Sequence, residues 1–280
     1  MAFDFDVVGK TGEPSDYTYT WKDLVLYALG IGARTPELDY LYEGRGPRVY
    51  PSFAVIPAFA PLHGALMSTR GPLEKVVHGA QKVTLHAPIP AQGTLRTTAT
   101  VEGIYDMKRM AQAIVKTRSV DAVTAKPVFD TEWSILYLGE GGFGGSPRPE
   151  DEKHAAPSRE PDFRYEQSTL PEQALLYRLS GDLNPLHADP EFPLVARFEG
   201  RPILHGLATY GFMTRAVVQT VCKGDASRVR TINARFARPV WPGDTLVTEG
   251  WVEGTKVMAR TSVKERSEVV LSHVSLELKA

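Results

Sequence analysis

Gly181-Asp-Leu-Asn-Pro-Leu-His187 sets an acid, an amide and an imidazole close together just past a helix end. The apolar run before it predicts a helix over 173–179, stopped by Ser180-Gly181. Asn184 precedes Pro185, which biases its backbone away from helix, so Asp182 and His187 are expected to converge around a turn. Downstream, Pro202-Ile-Leu-His-Gly206 opens a strongly apolar stretch that predicts a second helix over 203–222. Pro202 suits its first position and Gly224 falls just past its end. The start of that helix, beside His205 and Gly206, offers unpaired N–H groups and the positive end of the macrodipole.

Composition narrows what this cluster serves. The 280 residues are 42% hydrophobic, enough for a sizeable core in one large domain or two ordinary ones. Lys+Arg 32 against Asp+Glu 33 leaves a net charge of −1, so nothing recommends a nucleic-acid or anionic-membrane surface. Cys222 is the single cysteine, which excludes an internal disulfide or a multi-cysteine zinc site and suits a reducing compartment. No apolar run reaches the ~18 residues of a membrane span. The start lacks a basic, apolar leader pattern, and the end, Leu278-Lys-Ala280, is not a Ser-Lys-Leu peroxisomal address. A cytoplasmic place is therefore expected, with the peroxisome as the alternative.

The chain repeats itself. Pro88-Ile-Pro-Ala-Gln-Gly-Thr-Leu95 matches Pro239-Val-Trp-Pro-Gly-Asp-Thr-Leu246, and Val101-Glu-Gly103 matches Val252-Glu-Gly254, both at an offset of 151. Leu26-Tyr-Ala-Leu-Gly30 similarly echoes Leu176-Tyr-Arg-Leu-Ser180. Two similar halves follow: residues 1–138, a linker over 139–162, and residues 163–280. Thr20 and Asp23 predict a capping box opening a helix over 21–29. Alternating, β-branched segments predict strands over 94–104, 111–120 and 128–138 in the first half. In the second they predict strands over 228–236, 245–252, 257–263 and 269–278. Short glycine-bearing connections make them antiparallel neighbours. The stretch Gly139-Glu-Gly-Gly-Phe-Gly-Gly145 reads first as a flexible linker, and otherwise as an ordered crossover anchored by Phe143.

The offset sets Gly32 opposite Asp182 and Ala54-Val55 opposite His205-Gly206, so the first half lacks the chemistry of the second. Pro57 and Pro61 stand where the second half has its helix interior, and an interior proline costs about 3 kcal/mol. That predicts a broken or short helix whose missing volume holds an apolar ligand near Phe53 and Phe59. Neutral decay of the repeat, with the helix simply repacked, is the competing expectation.

Together, Tyr177-Arg-Leu-Ser-Gly-Asp-Leu-Asn-Pro-Leu-His-Ala-Asp-Pro190 and Pro202-Ile-Leu-His-Gly206 resemble the signature of the hydratase 2 family, the MaoC-like (R)-specific enoyl-CoA hydratases. The likeness extends over nearly the whole chain, which is similar to the hydratase domain of peroxisomal multifunctional enzymes of type 2. The resemblance implies an α+β, double hot dog architecture: two repeats, each an antiparallel sheet wrapped around a helix. It also implies a homodimer that hydrates a trans-2-enoyl-CoA to the (3R)-3-hydroxyacyl-CoA by syn addition. In that reading Asp182 and His187 are the catalytic pair, Asn184 orients water or the pair, and the Gly206 amide holds the thioester oxygen. His205, Phe53 and Phe59 would touch substrate, while Lys82, Arg235 and Arg238 would face the phosphates of coenzyme A.

Hydration needs a base for water, an acid for C2 and donors for an enolate-like oxygen, and it needs neither a cofactor nor a metal. A metal site from His187, Asp189 and His205 is conceivable by residue type alone, but Asp189-Pro190 reads better as a turn. The competing functions are a thioesterase or carrier-linked dehydratase of the same fold, and a non-catalytic acyl-CoA-binding protein.

Overall fold

Alternation of buried and exposed residues along ten antiparallel strands produces one continuous sheet in the computed structural model, which describes residues 3–148 and 156–279. The first half contributes β1 (Ser15–Tyr19), β2 (Val76–Leu85), β3 (Gly93–Asp106), β4 (Met110–Asp121) and β5 (Pro127–Leu138). The second contributes β6 (Phe163–Ser168), β7 (Val229–Phe236), β8 (Thr245–Glu253), β9 (Lys256–Val263) and β10 (Glu268–Leu278). Across the sheet the order is β1-β3-β4-β5-β2-β7-β10-β9-β8-β6. Each half therefore lays down its strands in the same order, and the halves join through β2 and β7. Lys82 lies directly opposite Asn233 in that seam. These two residues are 151 apart, the offset of the sequence repeat, so a pseudo-twofold axis passes through their pairing.

The helices are α1 (Trp21–Gly30), α2 (Leu38–Leu41), α3 (Val55–Ser68), α4 (Gln173–Tyr177) and α5 (Gly206–Thr220). The Asp23 carboxylate accepts the Thr20 backbone N–H at 2.7 Å, the box that opens α1. Helix α5 is the core of the second half. Every residue from Leu207 to Val218 is buried, because strands β6 to β8 and the 3₁₀ turn Pro51–Ala54 of the first half pack around it. A Cβ at Gly211 would collide with Ile31, so this glycine permits the close approach of α1. The architecture is the double hot dog.

Three expectations need correction. The helix carrying Pro57 and Pro61 is neither broken nor short: α3 runs for 14 residues. Pro57 sits in its first turn, where an N–H has no intrahelical acceptor. Only Pro61 removes an interior bond, and its ring is buried with Ala58 and Leu62 in the apolar contacts that hold the helix. Helix α5 starts at Gly206 rather than residue 203, because His205 is non-helical (φ −54°, ψ 133°) and the Ile203 carbonyl accepts from His187 Nδ1 at 2.8 Å instead of from a helical N–H. The glycine-rich crossover is anchored over residues 139–148. Asp106 accepts the Gly142 and Gly144 amides at 2.9 and 2.8 Å, and the Phe143 ring packs on Phe3 and Phe5. Residues 149–155 of the expected linker lie outside the described residues.

A buried ion pair ties the halves together. Arg215, midway along α5, donates to both Glu37 oxygens at 2.7 and 2.5 Å, and only 6% and 8% of the two side chains is exposed. Tyr50 and Gln219 also donate to Glu37, and Gln167 accepts from Arg215. Burial alone would raise the Glu37 pKa, but the bonds from Arg215 and Tyr50 outweigh it and hold it low. A depressed carboxyl contributes stability above its unfolded value, and the contribution disappears as pH falls through the folded value. Glu37→Gln or Arg215→Met should each cost about 3–5 kcal/mol, because either leaves a buried charge alone. In urea unfolding, the double variant Glu37→Leu/Arg215→Met should lose clearly less than the sum of the singles; full additivity would contradict a coupled pair.

Candidate active site

Gly181 adopts φ +129°, a conformation L side chains rarely take, and turns the chain out of the 3₁₀ turn Arg178–Ser180 that follows α4. Asp182 follows, half-buried. Its carboxylate accepts the Asn184 backbone N–H at 3.2 Å. The Asn184 side chain accepts the Leu186 N–H at 3.0 Å and so caps the 3₁₀ turn Pro185–His187. Asn184 is itself exposed, and it acts on Asp182 through the main chain.

His187, buried, closes the turn. Its Nδ1 lies 2.8 Å from the Ile203 carbonyl. A carbonyl only accepts, so Nδ1 carries the proton and Nε2 presents a bare lone pair. The opposite tautomer holds at His205, whose Nε2 lies 3.1 Å from the Asp182 carbonyl. The two rings stack at 3.7 Å between centroids. Burial pushes His187 below its ordinary range, against the pull of Asp182 and the Ile203 carbonyl. Burial, with His187 alongside, pushes His205 well below its own. Both rings are therefore neutral at pH 7. Ligand atoms of Asp182, His187 and His205 lie within 4.8 Å of one another. Asp189 is turned away, its carboxylate accepting the Glu191 N–H at 2.9 Å.

Gly206 supplies the first amide of α5, which has no intrahelical acceptor. Its α-carbon lies against the Phe236 ring, where a Cβ would come within 3.2 Å. Phe236 in turn meets His78 of the first half at 4.6 Å, and His78 stacks on Trp133 at 5.2 Å. Burial lowers the His78 pKa to about 4, so it serves as a neutral packing ring. In the first half the repeat sets Gly32 opposite Asp182, and a Cβ there would run into Phe212, so no side chain fits at that place.

Asp182 and His187 come together, with Gly206 next in sequence to the His205 ring that stacks on His187, while other expected site residues lie elsewhere. His205 is 1% exposed and lies beneath the pair, out of a substrate's reach. Phe53 is equally buried and packs on Tyr19 and Tyr27 in the core. Phe59 is half-buried on α3. Strand alternation puts Lys82 and Arg235 on the face opposite Phe236 and Gly206, where both line a cavity of about 490 Å³ at the seam. Arg238 lies beyond the end of β7, 3.6 Å from Glu268. Sequence reading missed Arg178, whose guanidinium donates to the Leu183 carbonyl at 3.4 Å and whose charge further disfavours protonation of both rings. Its place one helical turn before Asp182 is the signal that could have found it. Nitrogen-15 spectra at pH 7 should show His187 as the Nδ1–H tautomer and His205 as the Nε2–H tautomer; a doubly protonated ring at either position would contradict the geometry.

Residues 17–139 match the model of the MFE-2 hydratase 2 N-terminal domain, and residues 152–274 match that of the MaoC like domain. The chain is 39% identical over 279 residues to the peroxisomal enoyl-CoA hydratase 2 of Arabidopsis thaliana, covering 91% of this chain and 89% of that one. It is 40% identical over 271 residues to 3-hydroxyacyl-thioester dehydratase Y of Mycobacterium tuberculosis, covering 94% and 92%. Among solved structures, a MaoC-like dehydratase from Phytophthora capsici superposes with a TM-score of 0.87 at 31% identity, over 99% of this chain and 98% of that one.

Proposed function

This chain belongs to the MaoC-like hydratase 2 family, and from that membership we infer that it is an enoyl-CoA hydratase 2, converting trans-2-enoyl-CoA reversibly to (3R)-3-hydroxyacyl-CoA in fatty acyl-CoA metabolism. The observation that supports the assignment of its site is the bare Nε2 of a neutral His187 beside the Asp182 carboxylate. A water held between Asp182 and His187 gives a proton to this pair as its oxygen attacks C3. The electron pair of the double bond moves toward the thioester oxygen, which the Gly206 N–H receives as negative charge grows. The pair then returns the proton to C2 on the face that water entered, and the balance is one water added. Water and the thioester supply every atom of this reaction, and we assign it no cofactor.

The acyl chain is assigned to the first half. Helix α3 exposes Ala60, His63, Gly64 and Met67 along one side, with Phe59 half-buried beside them, where α5 is covered. The division of labour is thus chain binding by residues 1–138 and chemistry by residues 163–280, joined by residues 139–162. A homodimer is proposed from the family, marked in sedimentation by about twice the chain's 30.8 kDa. No helix among the described residues is long and apolar enough to cross a membrane. A reducing compartment is the proposed setting, the cytoplasm from the sequence reading or the peroxisome from the plant relative's name, which imaging of the tagged chain decides.

Asp182→Asn and His187→Ala should each lower crotonyl-CoA hydration about 10²–10⁴-fold with the fold retained, the usual worth of one positioned acid–base group. The double variant should lose little more than the worse single one. Because burial depresses His187, its base form persists below its ordinary range, so the acid limb of kcat/KM should fall below pH 6.5. An acid limb above 7, or near-wild-type rates in either folded variant, would contradict the assignment. A pure acyl-CoA binder would show altered affinity and no rate to lose. For the chain groove, a Cβ at Gly64 meets open space, so Gly64→Trp should slow long-chain substrates while sparing crotonyl-CoA; equal losses would count against the groove.

A further inference from the structure

The Asp182 loop and the start of α5 meet on one buried side chain. His205 is 1% exposed, and its ring and backbone lead to three parts of the site. Its Nε2–H donates to the main-chain carbonyl of Asp182 at 3.1 Å. Its flat face supports the His187 ring at 3.7 Å. It is also the N-cap residue of α5, so the next residue, Gly206, contributes the first helical amide. Tyr177 packs on the same imidazole at 4.9 Å and is itself buried.

One detail separates this arrangement from simple packing. With the proton on Nε2, the Nδ1 of His205 is a buried acceptor without a hydrogen-bond partner. An orphaned buried acceptor is unfavourable. A phenyl ring would fill the slot and stack on His187 with no unmet polar atom. What the imidazole supplies and a phenyl ring does not is the N–H tether to the Asp182 carbonyl.

We propose that His205 is a positioning residue: its tether to the Asp182 carbonyl and its stack beneath His187 hold the acid–base pair at a set distance from the Gly206 amide. The proposal rests on the reading of Asp182 and His187 as that pair. His205 touches no substrate and moves no proton; it sets where the proton-handling atoms stand relative to the developing oxyanion.

The test compares His205→Phe, which keeps volume and stacking but removes the tether, with His205→Gln, whose amide N–H reaches about as far as Nε2. His205→Phe should lower kcat for crotonyl-CoA on the order of 10²-fold, the scale of an ångström-level misplacement, with KM nearly unchanged. His205→Gln should recover most of that loss. In an Asp182→Asn background His205→Phe should remove little further rate, because the group it positions is already gone. Should His205→Phe fail to fold, His205→Asn replaces it: its amide stops short of the carbonyl, and the same loss is expected. Equal losses in the tethering and non-tethering variants, full additivity with Asp182→Asn, or an unchanged kcat without the tether would overturn the proposal. An active Asp182→Asn protein would instead overturn the reading beneath it, so the two failures are distinguishable.

Discussion

The hydrogen bond from His187 Nδ1 to the Ile203 carbonyl, 2.8 Å long, is the contact on which the site depends. It decides which nitrogen is bare, and it spans two segments that are 16 residues apart. Those segments are also joined by the Ile203 N–H to Leu186 and by His205 to the Asp182 carbonyl. The turn over residues 182–187 is thus zipped to the extended lead-in of α5 rather than suspended from α4 alone. Neutral histidine, carboxylate and helix amide are three outputs of the same few backbone carbonyls.

The same helix that starts at Gly206 carries Arg215 near its middle, bonded to Glu37 of the first half. A charge in the core of a hot dog helix is expensive unless paired. Its partner comes from across the repeat, so the placement of α5 depends on both halves. Gly211 adds to this by letting α1 approach. The first half contributes through Glu37, Ile31 and the His78–Phe236 contact to the position of the second.

Much of the architecture was legible because repetition is a strong signal. A constant offset of 151 implied two alike halves, and the Lys82–Asn233 pairing places the axis between them at that same spacing. Strand periodicity located seven of the strands to within a few residues, since β-branched alternation records burial directly. The closeness of Asp182 and His187 was legible from their spacing around Asn184-Pro185. Less legible was anything set by long-range partners. The start of α5 is set by the Ile203 carbonyl bonding His187 and by the non-helical backbone of His205, and not by Pro202. The endurance of α3 reflects the burial of Pro57 and Pro61 among apolar neighbours, which propensity does not weigh. Arg235 and Phe236 are adjacent in sequence but face opposite sides of the sheet, and Glu37 announces nothing of Arg215. His205 reads in sequence as a substrate contact beside Gly206, but its 1% exposure keeps it within the core.

The central claim is that a single pair, Asp182 and His187, handles both the incoming water and the proton at C2, from one side of the double bond. Hydration of crotonyl-CoA in D₂O, with the product's relative configuration read by proton NMR, tests this most directly. The account predicts one diastereomer, with deuterium at C2 on the same face as the new C3 hydroxyl. Deuterium on the opposite face, or an even mixture of both faces before any back-exchange, would contradict it.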